Sequence, residues 1–88
     1  MVEAIIVLNN KSGLHARPAA KLVSSAKKFK SNITLTKNDK EADAKSILKI
    51  LSLGAEQGDQ LLIRVMGEDE KEAYQSLISL INNKFNEE

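Results

Sequence analysis

The hydrophobic period of this chain switches between two residues and three to four residues several times within 88 residues. A segment of period two has one apolar face, and a segment of helical period has one apolar stripe. Neither can cover itself. The fold must therefore lay helical stripes against a sheet.

Val2 to Leu8 is apolar apart from Glu3 and rich in β-branched residues. It ends at the turn formers Asn9-Asn10-Lys11-Ser12-Gly13, so it reads as a strand and then a loop, with Ala4, Ile6 and Leu8 on one face. From His15 the period changes. Ala19, Leu22, Val23 and Ala26 fall at helical spacing and predict a helix from about Ala16 to Lys28. Pro18 suits a first helical turn, where its missing N–H has no partner to lose. The residue before a proline is pushed out of helical geometry, so Arg17 is expected to be loosely helical.

Ile33 to Thr36 alternates as a strand, Lys37-Asn38-Asp39-Lys40 is a polar turn, and Glu41 to Ala44 is a short strand pairing back as a hairpin. Its alanines pack little, which places it at the sheet edge. Lys45 to Gly54 holds a short helix with Ser46 as N-cap and Gly54 at its end. This helix is too short to bury Ile47, Leu48, Ile50, Leu51 and Leu53 on one side, so part of the cluster is expected on the surface, where exposed apolar groups mark partner sites. Gln60 to Met66 is a strand with Leu61, Ile63 and Val65 on one face. Acidic Glu68, Asp69, Glu70 and Glu72 suit the start of a last helix from about Asp69 to Asn83. Its core stripe is Ala73, Leu77, Ile81 and Phe85, with Ile78 alongside. The order is β-α-β-β-α-β-α, an α+β chain with one small sheet and helices on one face. Residues 1–88 read as one domain.

A chain of this size buries only about 60% of its unfolded surface, so it has one thin core and no domain cleft. Chemistry is expected on its surface, with a partner completing the site. Thirteen Lys and Arg against twelve Asp and Glu lack the basic excess of a general nucleic-acid binder. The absence of cysteine excludes disulfides and thiol chemistry and fits a reducing cytoplasm. No signal peptide is visible, and no apolar run approaches the ~20 residues that span a membrane.

The only histidine and the only proline stand three residues apart in Ser12-Gly13-Leu14-His15-Ala16-Arg17-Pro18-Ala19-Ala20. One histidine without cysteine makes a poor metal site, so no metal is expected, and no Ser or Asp spacing suggests a hydrolytic triad. Taken alone, such a histidine is most simply a surface or capping residue. Its position says more. It precedes a helix N-terminus, where backbone N–H groups lack intrahelical partners and the dipole favours an anion. Arg17 adds a guanidinium suited to phosphate oxygens, and Gly13 lets the loop turn sharply. A phosphoryl group on the ring would be held by the N–H groups of Ala16 and Arg17 and by the Arg17 side chain.

Gly13-Leu14-His15-Ala16-Arg17-Pro18-Ala19 resembles the active-site signature of the HPr family, the histidine-containing phosphocarriers of the bacterial phosphoenolpyruvate:sugar phosphotransferase system. Lys45-Ser46-Ile47-Leu48 followed by Ser52-Leu53-Gly54 is similar to the second signature of that family, and Gly67-Glu68-Asp69-Glu70 resembles its entry into the last helix. The resemblance covers the whole chain. It implies an open-faced β-sandwich, a four-stranded antiparallel sheet with three helices on one face. It implies that His15 accepts a phosphoryl group on Nδ1 from phosphorylated enzyme I and passes it to IIA components of sugar transporters, with Arg17 stabilising the phosphate. Such a carrier is consumed and regenerated between two enzymes, with no turnover of its own. The implied partner surface includes Ala20, Ile47, Leu48, Lys49 and Leu51. Ser46 is implied as a regulatory site phosphorylated by an HPr kinase/phosphorylase, although an N-cap needs no such role.

Two other readings bear on the same residues. A regulatory relative would act by binding regulators, transcription factors included, through phosphorylated Ser46 rather than in sugar uptake. Such relatives lack the active-site histidine, so His15 argues against that as the main role. An RNA-binding domain shares the order β-α-β-β-α-β but stacks bases on sheet aromatics, and Phe29, Tyr74 and Phe85 all lie outside the predicted strands. The Leu and Ile stripes read as core and leave little room for a cofactor, so none is expected. The expected working unit is a monomer that makes no membrane insertion.

Overall fold

The structure, a computed structural model, describes residues 1–87. Strand β1 (Val2–Val7) leads to helix α1 (Ala16–Ala26), the hairpin β2 (Asn32–Lys37) and β3 (Lys40–Asp43), helix α2 (Ile47–Ser52), strand β4 (Gln60–Met66) and helix α3 (Glu70–Asn82), and then a short 3-10 turn at Lys84–Asn86. The four strands form one antiparallel sheet in the order β1-β4-β2-β3. The alanine-bearing β3 is an edge strand, as its weak packing predicts.

The strands bury every second residue. Ile6 and Leu8 follow β1 inward, Ile33 and Leu35 come from β2, Ala42 from β3, and Leu61, Ile63 and Val65 from β4. The three helices cover that face. Their buried stripes are Ala19, Leu22, Val23 and Ala26 of α1, Ile50 of α2, and Ala73, Leu77 and Ile81 of α3. The opposite face stays open, with Ile5, Val7 and Met66 exposed on it. This is the open-faced sandwich expected from the sequence.

Three local differences have physical causes. Helix α1 ends at Ala26, so Lys27 and Lys28 lie in the following turn rather than on a helical face. Arg17 is helical despite preceding Pro18: the bias before a proline disfavours helical geometry without forbidding it, and the helix is entered from extended His15 (φ −75°, ψ −175°) two residues earlier. Phe85 continues the i+4 stripe of α3 in sequence but not in backbone. The helix stops at Asn82, and Lys84, Phe85 and Asn86 adopt positive φ of 54°, 57° and 60°. This left-handed turn folds the completely buried Phe85 ring back under the helices.

Helix α2 is short, and its ends are held from outside. The Ser46 hydroxyl accepts a hydrogen bond from the Lys49 N–H at 3.4 Å. At the other end the hairpin reaches across, with Lys37 Nζ donating to the Gly54 carbonyl and Lys40 Nζ to the Ser52 carbonyl, each at 2.9 Å. Carbonyls left over at a helix C-terminus are stabilised by cations placed in this way.

Candidate functional site

His15 is the N-cap of α1, exposed and making no capping hydrogen bond with its side chain. Its carbonyl accepts from the Ala19 N–H at 2.9 Å, which closes the first turn. The N–H groups of Ala16 and Arg17 lie in that turn, where helix geometry offers no intrahelical acceptor, and Pro18 has no N–H to leave unpaired. No acidic side chain occupies the first turn. No carboxylate of the helix itself therefore offsets the positive end of the dipole, an effect worth roughly 0.3–1 kcal/mol for an anion at an exposed site.

Ser12, His15, Ala16, Arg17, Pro18 and Glu87 line a shallow depression of about 380 Å³. The Arg17 side chain is 84% exposed, and its Nε stands 3.9 Å from Glu87 Oε2. With the Arg17 end in solvent and the contact this long, the pair is weak although Glu87 is only 18% exposed, so the guanidinium can turn to an anion on the ring. Lys21 Nζ lies 3.6 Å from the same carboxylate oxygen. Among the described residues, no group of His, Cys, Asp and Glu is placed to hold a metal ion.

The carboxylate that meets the histidine ring left no signal in the sequence pattern. Glu56 sets its carboxylate against His15 Nε2, at 3.0 Å for Oε2 and 3.3 Å for Oε1. It stands in a polar turn with no periodic signal, 41 residues away. Gly13 and Leu14 bring the two together. The Leu14 N–H donates to the Ala55 carbonyl at 2.9 Å. A Cβ on Gly13 would fall 2.5 Å from the Ala55 oxygen and 2.7 Å from Glu56 Cα. Gly13 thus permits close backbone approach as well as its positive φ of 60°.

The residues expected on a partner surface lie together. Ala20 of α1 and Ile47 of α2 line one groove with Val23, Ser24 and Lys27. Leu48 is 77% exposed, and Ile47, Lys49 and Leu51 are also on the surface, whereas Ile50 and Leu53 are buried. The apolar excess of α2 divides between core and solvent. Ser46 is half-buried at the start of this helix.

A small open-faced sandwich with an exposed histidine capping its first helix is the architecture of a phosphocarrier domain. The family model described as "PTS HPr component phosphorylation site" matches residues 2–83, and the chain belongs to the HPr family, the phosphocarriers of the phosphotransferase system. It is 47% identical over 88 residues to phosphocarrier protein HPr of Xylella fastidiosa strain 9a5c, covering 100% of this chain and 99% of that protein. The crystal structure of HPr-C-His from Thermoanaerobacter tengcongensis superposes with a TM-score of 0.97 at 49% identity, covering 100% of this chain and 99% of that one. An HPr dimer from the same organism gives 0.78 at 48% identity, with 97% and 98% covered. A phosphocarrier role is thereby supported, and the purely regulatory alternative is not favoured.

Proposed function

We propose that this chain accepts a phosphoryl group on His15 Nδ1 from phosphorylated enzyme I and donates it to IIA components of sugar transporters. The observation that carries this is the exposed imidazole at the start of α1, where its side chain makes no capping hydrogen bond, beside two first-turn amides without an intrahelical acceptor and the solvent-exposed Arg17 guanidinium. An anion on the ring meets the helix dipole, the N–H groups of Ala16 and Arg17, and the Arg17 side chain. These contacts are each modest, which suits a phosphate that must stay transferable.

The exposed apolar side of α2 and the groove at Ala20 serve as the docking surface for both partners. Ser46, where an HPr kinase/phosphorylase acts, sits at the edge of that surface. A phosphate there adds about −1.5 to −2 charge without unfolding the helix, whose N-terminus tolerates an anion. It weakens docking on acidic partners and gives a transcriptional regulator something to read.

The working unit is a single chain acting as one domain over residues 1–88, because His15, Arg17 and the α2 face all belong to one copy. The related dimer names the competing state, and light scattering at working concentration separates the two. The setting is the cytoplasm, which a cysteine-free chain suits. Among the described residues, no helix is long and apolar enough to cross a membrane.

Incubation with enzyme I and phosphoenolpyruvate tests the carrier function. An acid-labile, alkali-stable phosphate is expected, and it disappears in His15→Ala. Label that persists in that variant overturns the assignment of His15.

A further inference from the structure

We propose that Glu56 is a positioning residue for His15: its carboxylate keeps the ring proton on Nε2 and leaves the lone pair on Nδ1 for the phosphoryl group. This rests on His15 being the acceptor, as read above. An ionised carboxylate can only accept a hydrogen bond. At 3.0 Å from Nε2, Glu56 Oε2 therefore requires the shared hydrogen to sit on Nε2. A neutral imidazole carries one N–H, so Nδ1 is then the unprotonated nitrogen. Among the described residues, Nδ1 makes no hydrogen bond.

Exposed ion pairs are usually adaptable, but both backbones are pinned here. The Leu14 N–H bond to the Ala55 carbonyl, at 2.9 Å, places residue 15 beside residue 56. Glu56 is held on its other side as well. Its N–H donates to Asp59 Oδ2 at 2.8 Å, its carbonyl accepts from the Asp59 N–H at 3.0 Å, and Lys37 Nζ pairs with the same Asp59 oxygen at 2.9 Å. Arg17 and Glu87 line the depression at the helix N-terminus with His15.

The chemistry gains in two ways. With the proton already on Nε2, the Nδ1 lone pair attacks phosphorus directly. The Nδ1–P bond forms, the bond from phosphorus to the donor's leaving atom breaks, and that atom takes the electron pair. No proton leaves His15. The phosphorylated ring carries a positive charge, which the Glu56 carboxylate offsets through the same Nε2–H contact. On donation the Nδ1–P electron pair returns to the ring, which departs as neutral imidazole with its proton still on Nε2. From the other tautomer, a proton would first have to leave Nδ1.

The test uses the full chain labelled with ¹⁵N-histidine, at pH 9, where an ordinary imidazole is neutral. The wild type is expected to show a pyrrole-type Nε2 and a pyridine-type Nδ1. Glu56→Ala is expected to show a measurable Nδ1–H fraction, and Glu56→Asp to restore the wild-type pattern in part. The single-turnover rate of phosphoryl acceptance at saturating donor should fall roughly two- to fivefold in Glu56→Ala, the size expected of an exposed charged pair. Identical ¹⁵N spectra for wild type and Glu56→Ala overturn the proposal, as does a change of KM alone. A wild type that takes no phosphate on His15 instead overturns the acceptor assignment, and the tautomer measurement stands apart from it.

Discussion

The Lys21 ammonium donates a hydrogen bond to the carbonyl oxygen of Phe85 at 2.8 Å, tying helix α1 to the left-handed turn that follows α3. That turn holds three consecutive residues at positive φ, each costing roughly 1–2 kcal/mol for an L-residue. Burial of the Phe85 ring offsets the strain, and the lysine closes the turn over it. Phe85→Ala is expected to lose about 3–5 kcal/mol in urea denaturation. Lys21→Met keeps the apolar stem and should lose only about 1 kcal/mol. Equal losses in the two variants would show that the tie, rather than the buried ring, carries the turn.

Gly13 and Gly54 have almost the same φ, at +60° and +61°. They differ in surroundings. A Cβ on Gly13 strikes the Ala55 carbonyl and Glu56 Cα, and one on Gly54 meets nothing within 4 Å. Gly54→Ala should cost about 1 kcal/mol, the conformational cost alone. Gly13→Ala should cost more and also slow phosphoryl acceptance, because it pushes Glu56 away from His15. Calorimetric melting with a transfer assay checks both.

Asp69 joins the start of α3 to the start of β2. Its carboxylate accepts from the Ser31 hydroxyl, from the Lys30 N–H at 2.8 Å and from the Ser31 N–H at 2.9 Å. The Ser31 hydroxyl is the main cause, and the Lys30 N–H the next, of a pKa held below the ordinary 3.8. Asp59 is lowered likewise, first by the Glu56 N–H and then by Lys37. A depressed folded-state pKa gives stability that is complete above the unfolded value and is lost as pH falls through the folded value. Stability should therefore hold from neutral pH to about 4 and decline below it. Asp69→Asn should be less stable at pH 7 and show a shallower decline, as followed by denaturant titrations at successive pH values.

Two neighbours on α2 separate docking from folding. Ile50 is fully buried and Leu48 is 77% exposed. Ile50→Ala is expected to cost about 2–5 kcal/mol of stability. Leu48→Ala should change stability by less than about 0.5 kcal/mol yet raise the KM for enzyme I severalfold, as loss of an apolar anchor does. Unchanged KM for Leu48→Ala counts against the docking surface.

Ser46→Asp should fold normally, with unaltered melting, and accept phosphate at His15 more slowly. Equal transfer rates for Asp and Ser at this position would remove the inhibitory role.

Much of this molecule is visible in local pattern. Alternation marks the strands and their inward faces, from Ile6 to Val65, and helical spacing marks the stripes of α1 and α3. Both signals survive folding because they record which side of each element avoids water. The boundaries shift by a few residues where a turn competes with the helix, as at Lys27. Phe85 shows how the same stripe can mislead: its spacing is helical, but the ring reaches the core through a left-handed turn.

The order of elements, their buried faces, the histidine at the mouth of a helix and the apolar surplus of α2 are all legible in local pattern. Each depends on residues close together in the chain, where periodicity and capping rules act. What stands beside that histidine depends on how distant loops meet in the fold. Glu56 arrives from 41 residues away because the Leu14 N–H meets the Ala55 carbonyl, and the Lys37 and Lys40 ammoniums reach α2 because the hairpin packs beneath its end. Polar contacts between distant loops leave no periodic trace. They form once the buried faces have closed and brought the backbones within reach.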